Sequence, residues 1–251
     1  MMKIAVIQTD IAWGDIAGNI GSARTMIDKA PGVDLYVLPE MFTTGFNSNC
    51  ESLPSAGLAF MQEESRKRNC AVAGSIAIGL EDGMRVNRFF FVTPDSVTFY
   101  DKRHLFNYGG EGRQYRAGDR RVIVEWKGVR FLLTVCYDLR FPVWSRNKND
   151  YDVMLCVASW PTQRRYAWDT LLRARAIENQ CFVAAANRVG TDPSCVYDGG
   201  SVILDPLGKP IAACRDGACE TIVGEADMKS LTEFRSSFPV LADSDDFRII
   251  Q

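Results

Sequence analysis

Three residues of complementary chemistry close short apolar runs of this chain: Glu40 ends 34–40, Lys102 ends 97–102, and Cys136 follows 131–135. Each has an ordinary reading on its own. A charge at a strand end is usually solvated, and a cysteine is usually a small buried hydrophobe. Together they form a set for nucleophilic acyl transfer, in which the carboxylate takes the thiol proton and the ammonium stabilises thiolate and oxyanion. Cys136 stands out among the 8 cysteines because it lies at the carboxyl end of a strand, before polar residues and a helix starting near Pro142. Open α/β sheets bind ligands at that edge.

His104 is the only histidine, so every Ser-His-Asp or Cys-His scheme would have to use it as its one base. It lies two residues beyond Lys102 and reads as a structural neighbour of the site. Cys70, Cys156 and Cys181 abut apolar runs and read as core, while Cys214 and Cys219 lie near a turn and are assigned no role. The cysteines are scattered without a Cys-x-x-Cys, which argues against a disulfide framework and a structural metal. Neither metal nor cofactor is expected. Arg113, Arg116, Arg120 and Arg121 are interrupted by Gln114, Tyr115 and Asp119 and read as a solvated loop face. One of them, or Arg140, could pair with a substrate carboxylate.

The elements that must position these groups show as short β-rich runs at 4–7, 35–38, 71–78, 89–92, 97–100, 122–126, 129–135, 153–158, 182–186, 202–204 and 222–224. Helical patterns at 16–29, 56–68, 164–179 and 228–234 interleave them. Runs such as 131–135 and 182–186 are apolar on both faces, as strands buried between two layers must be. About eleven strands with four or five helices would make one open sheet very wide, so two face-to-face sheets with helices outside are expected. The fold class is α/β, a four-layer α-β-β-α sandwich. No linker or internal repeat interrupts it, and 1–251 reads as a single domain.

Composition agrees: 47% hydrophobic and 24% charged residues belong to an ordinary globular chain rather than a disordered or membrane-spanning one. Lys plus Arg total 29 against 31 Asp plus Glu, a formal charge of -2 that creates no field for polyanions. Nucleic acid is therefore not expected as a partner. The first apolar run is too short for a signal-peptide core, and none approaches the roughly 18 residues of a membrane helix. A cytoplasmic location without membrane association is expected.

Pro39-Glu40-Met41-Phe42, Tyr100-Asp101-Lys102-Arg103-His104-Leu105-Phe106 and Val135-Cys136-Tyr137-Asp138-Leu139-Arg140-Phe141-Pro142 resemble the three catalytic blocks of the nitrilase, or carbon-nitrogen hydrolase, superfamily, in order and at comparable spacing. Similarity continues in Ala174-Arg175-Ala176-Ile177-Glu178-Asn179-Gln180 and Asn187-Arg188-Val189-Gly190, so it covers essentially the whole chain. The phrases around Lys102 and Cys136 most resemble the bacterial omega-amidase branch, which hydrolyses the terminal amide of 2-oxo dicarboxylic acid monoamides. The resemblance implies Cys136 as nucleophile, Glu40 as general base and later acid, and Lys102 as oxyanion cation, with the Tyr137 backbone N–H as second donor. It implies Glu111, in a glycine-rich loop, as the glutamate that orients the substrate amide. It also implies a homodimer or larger homo-oligomer, with Ser236-Ser237-Phe238-Pro239-Val240 as a candidate contact. Relatives often carry histidine where this chain has Ala167 before Trp168, which bears on the pocket rather than on the core chemistry. The alternatives are another non-peptide substrate, such as an N-carbamoyl amine, another aliphatic amide or a nitrile, and a non-catalytic binding or redox thiol protein with this fold.

Overall fold

The computed structural model describes residues 1–47 and 49–249. The chain begins with β1 (Met2–Gln8), α1 (Ile16–Asp28), β2 (Leu35–Val37), α2 (Ala56–Arg68), β3 (Ala71–Gly79), β4 (Arg85–Val92), β5 (Val97–Asp101), β6 (Ile123–Trp126) and β7 (Val129–Val135). It continues with α3 (Pro142–Ser145), β8 (Val153–Ala158), α4 (Arg165–Asn179), β9 (Phe182–Asn187), β10 (Val189–Thr191), β11 (Val196–Asp198), β12 (Val202–Leu204), β13 (Pro210–Ala213), β14 (Glu220–Ala226) and α5 (Met228–Ser237).

Local chemistry sets the helix ends. The Asp15 carboxylate accepts the Gly18 N–H at 2.9 Å to start α1, and the Ser55 hydroxyl accepts the Leu58 N–H at 3.0 Å to start α2. Arg66, Lys67 and Arg68 fill the last turn of α2, where the dipole favours cations, and Asn69 leaves it in the left-handed conformation.

Two six-stranded sheets, ordered β14-β1-β2-β3-β4-β5 and β13-β12-β9-β8-β7-β6, pack face to face. Phe91 of β4 and Phe131 of β7 meet between them with ring centroids 5.4 Å apart. Burying one such ring stabilises the fold by about 1.5–3 kcal/mol. On the outer face of the first sheet, Met26, Ile27, Phe60 and Met61 of α1 and α2 pack with Val72 and Ile76. On that of the second, Trp168, Leu172 and Ala176 of α4 pack with Met154, Cys156 and Val183. The layers are thus α-β-β-α, as the double-sided apolar runs require. No helix among the described residues is long and apolar enough to cross a membrane.

The strands missing from the sequence reading are β10 and β11, a three-residue-per-strand ribbon, and β13, a sheet-edge strand that opens with Pro210. Strands so short, or opened by a residue without an N–H, carry little periodic signal. Arg121 also departs from its reading as a solvated loop charge. Its guanidinium is part-buried, donating to the Trp144 carbonyl at 3.0 Å and to Asp150 Oδ2 at 2.5 Å.

Strand direction brings the site together. β2 and β3 are parallel, and two reversals through β4 return β5 to the same direction, while β7, β8 and β9 are parallel in the other sheet. Side chains beyond β2, β5 and β7 therefore converge at one end of the sandwich. Hydrogen bonds join the sheets there, among them Ser159 N–H to Glu40 Oε2 at 2.7 Å and Tyr100 O–H to Asp138 Oδ2 at 2.8 Å.

Candidate active site

Lys102 is the centre of this end. Its Nζ donates to Glu40 Oε1 at 3.0 Å and to Glu111 Oε2 at 2.9 Å, with side-chain exposures of 1%, 0% and 3% for the lysine and the two glutamates. Each carboxylate is held by further donors. Asn87 Nδ2 reaches Glu40 Oε1 at 2.7 Å, and the Phe106 N–H reaches Glu111 Oε2 at 2.6 Å. The glycine-rich loop places Glu111 because its backbone N–H also returns to the Phe106 carbonyl at 3.2 Å.

Cys136 begins a 3-10 turn, Cys136–Arg140, directly after β7, with φ at +48°. A non-glycine residue there costs about 1–3 kcal/mol, and the surroundings must hold it. Asp138 supplies that hold. Its Oδ2 accepts the Val135 N–H at 2.9 Å and the Tyr100 hydroxyl, and its Oδ1 accepts the His104 backbone N–H at 3.0 Å. His104 Nδ1 lies 2.8 Å from the same Oδ1, and the imidazole stacks on Phe141 at 3.8 Å. The histidine thus braces the turn. The first amides of such a turn, Tyr137 among them, lack carbonyl partners within it and can serve as donors to a ligand.

The electrostatics follow from burial. Desolvation and the Glu40 charge push the Cys136 thiol well above the ordinary cysteine value, with Lys102 pulling the other way. The balance favours the thiol form over the thiolate. Burial alone would lower Lys102, but the charges of Glu111 and then Glu40 hold it well above its usual value. Burial raises Glu40, Lys102 opposes the rise in part, and the Glu111 charge adds to it. One ammonium between two carboxylates stays charged, and Glu40 is the group disposed to accept a proton.

Cys136, Tyr137, Lys102 and Glu111 line a cavity of about 330 Å³ walled by aromatic side chains including Trp13, Phe46, Phe106 and Trp160. Two guanidiniums also line it: Arg140 lies 4.9 Å over the Trp160 ring and Arg164 lies 4.9 Å over the Phe106 ring. Ala167 and Trp168 are not among the cavity residues. Trp168 is buried and donates to the Gly200 carbonyl at 2.8 Å, so the departure at Ala167 lies behind the wall.

The structure brings together Glu40, Lys102 and Glu111 as an ion-pair cluster, with Cys136 and Tyr137 on the same cavity. Sequence reasoning missed Asn87, Ser159, Asp138 and Arg164. Neither Asn87 nor Arg164 left a local signal: Asn87 lies in the half of β4 that also carries Arg85 and Arg88, and Arg164 is followed by a second arginine at the same helix start.

The pattern that defines the carbon-nitrogen hydrolase family matches residues 3–236. Omega-amidase YafV of Escherichia coli strain K12 is 46% identical over 253 residues, covering 99% of this chain and 98% of that protein. The 2-oxoglutaramate amidase of Bacillus subtilis strain 168 is 35% identical over 96% of each chain. Among solved structures, XC1258 of Xanthomonas campestris, a CN-hydrolase superfamily protein with an arsenic adduct in its active site, superposes with a TM-score of 0.95 at 40% identity, over 99% of this chain and 98% of that one. The chain therefore belongs to the carbon-nitrogen hydrolase family, in the nitrilase superfamily of hydrolases acting on non-peptide carbon-nitrogen bonds.

Proposed function

We propose that this protein hydrolyses the terminal amide of small 2-oxo dicarboxylic acid monoamides, such as 2-oxoglutaramate and 2-oxosuccinamate, to the acid and ammonia. The observation that carries the mechanism is the buried Lys102, shared by Glu40 and Glu111 on the cavity that holds the Cys136 thiol. The substrate class rests on the likeness to the omega-amidase and the 2-oxoglutaramate amidase.

In this reading Glu40 takes the Cys136 proton as sulfur bonds to the amide carbon, and Lys102 with the Tyr137 N–H holds the oxyanion. The upward push on the thiol favours a base that takes its proton during attack. Collapse breaks the carbon–nitrogen bond, and Glu40 returns its proton to the departing ammonia. Water, deprotonated by Glu40, then adds to the thioester and releases the carboxylic acid and the thiol. Glu111 orients the amide. Arg140 offers a guanidinium to the substrate carboxylate. The same reading, through family resemblance, makes the enzyme a cytoplasmic homodimer or higher homo-oligomer.

The test is ammonia release from 2-oxoglutaramate and 2-oxosuccinamate beside an N-carbamoyl amine, a simple nitrile and an aliphatic amide, with Cys136→Ala as control. Release from the oxo-amides, lost in the variant, is the expected result. Turnover confined to another compound would overturn the substrate class, and undiminished turnover in the variant would overturn the mechanism.

A further inference from the structure

Two adjacent arginines stand at the start of α4, and their surroundings differ. Arg165 is neutralised: its guanidinium lies 2.9 Å from Asp169, 2.9 Å from Asp216 and 3.5 Å from Asp198. Arg164 lies over Phe106 on the cavity wall and, among the described residues, its side chain has neither an ion-pair nor a hydrogen-bond partner. A cation there gains nothing from the helix dipole. No carboxylate among the described residues pairs with Arg164, and the nearby acids hydrogen-bond to other groups. Asp192 Oδ1 accepts the Ser194 and Cys195 N–H groups at 2.7 Å each, and its Oδ2 accepts the Tyr197 hydroxyl at 2.6 Å. Glu40 and Glu111 are held on Lys102.

The platform under Arg164 belongs to the site. The Phe106 N–H donates to Glu111, and the Phe106 ring meets Tyr137 edge-on at 5.1 Å. Arg140 shares the turn of the cysteine, whereas Arg164 comes from a separate element and adds a second unneutralised fork to the same cavity.

We infer that Arg164 is a specificity-determining residue that reads the α-carbon end of the substrate. Its planar fork donates to the carboxylate and the adjoining 2-oxo oxygen, two acceptors in one plane. Its unneutralised charge repels an α-ammonium, so the 2-oxo acid amide is taken and glutamine or asparagine is refused. This deepens the 2-oxo-amide reading and rests on it.

Arg164→Gln and Arg164→Lys in the full chain test it, with kcat and KM measured on 2-oxoglutaramate and glutamine. Arg164→Gln should raise the KM for 2-oxoglutaramate about tenfold or more while kcat stays within about threefold, and should lower the 2-oxoglutaramate-to-glutamine ratio of kcat/KM by about tenfold or more. Arg164→Lys should lie between, keeping the charge without the fork. Alkylation of Cys136 supplies a readout independent of turnover. By peptide mass spectrometry, the rate with anionic iodoacetate relative to neutral iodoacetamide should fall in Arg164→Gln, while the iodoacetamide rate itself reports an intact site.

An unchanged substrate ratio and an unchanged alkylation ratio would overturn the inference alone. Wild-type enzyme inert toward 2-oxoglutaramate would overturn the functional reading and this inference with it.

Discussion

Glu64 and Lys102 are both buried ions that hold two opposite charges, yet they lie in opposite surroundings. Glu64, with no exposed side chain, sits on α2 between Arg24 and Arg68, whose side chains are 34% and 16% exposed and whose guanidiniums continue to Glu63 and Asp28 at the surface. Its surplus positive charge leads outward to acids and water. Lys102 sits between Glu40 and Glu111 with all three groups buried, and the surplus negative charge is balanced by N–H donors from Asn87, Ser159 and Phe106 beside the cavity. A cluster drained to solvent can serve architecture alone. A sealed cluster with an excess carboxylate beside a thiol keeps a proton acceptor in reach of chemistry.

Removing the thiol should separate the two regions most sharply. Cys136→Ala is expected to lower kcat about 10⁴-fold or more while thermal unfolding stays cooperative, because one small side chain is lost from a braced turn. Ammonia assay with calorimetry checks both halves of that expectation. Next is Lys102→Gln, which should lose about 10²–10³ in kcat through the oxyanion and about 3–5 kcal/mol of stability, since two buried carboxylates lose their counter-charge. Lys102→Arg should not rescue it, a planar fork being a poor replacement for a compact ammonium.

Glu64→Gln should do the reverse: a loss of about 1–3 kcal/mol, moderated by the surface partners of both arginines, with kcat within about twofold. A parallel fall in kcat would erase the distinction between the clusters. The smallest expected effect is on pH dependence. Activity should rise with pH as Glu40 loses its proton, with the acid limb of kcat/KM above the ordinary glutamate range because burial raises that group. Glu111→Gln removes a charge that contributes to the rise and should move the limb down, whereas Glu64→Gln should leave it in place.

Much of the layered fold was legible because strands 131–135 and 182–186 carry apolar residues on both faces, which only a covered sheet accepts. Glu40, Lys102 and Cys136 were legible as a candidate set because each stands at the end of an apolar run with a reactive group. Their supports were not. Ser159 donates to Glu40 across a separation of 119 residues, and Asp138 reaches Tyr100 across 38. Nothing local in those segments records the partner. Arg164 and Arg165 are likewise adjacent and identical in type, and only packing shows that one meets three aspartates while the other faces the cavity.

By itself the sequence determined which groups exist and roughly where eleven of the strands and the longer helices lie, since caps, periodicity and apolar runs act over a few residues; the short strands β10, β11 and β13 were set by their neighbours. The tertiary structure alone decided which groups meet and how deeply they lie. Charge interaction depends on separation and on the exclusion of water, so the proton preferences of Glu40, Lys102 and Cys136 exist only once two sheets have closed over them.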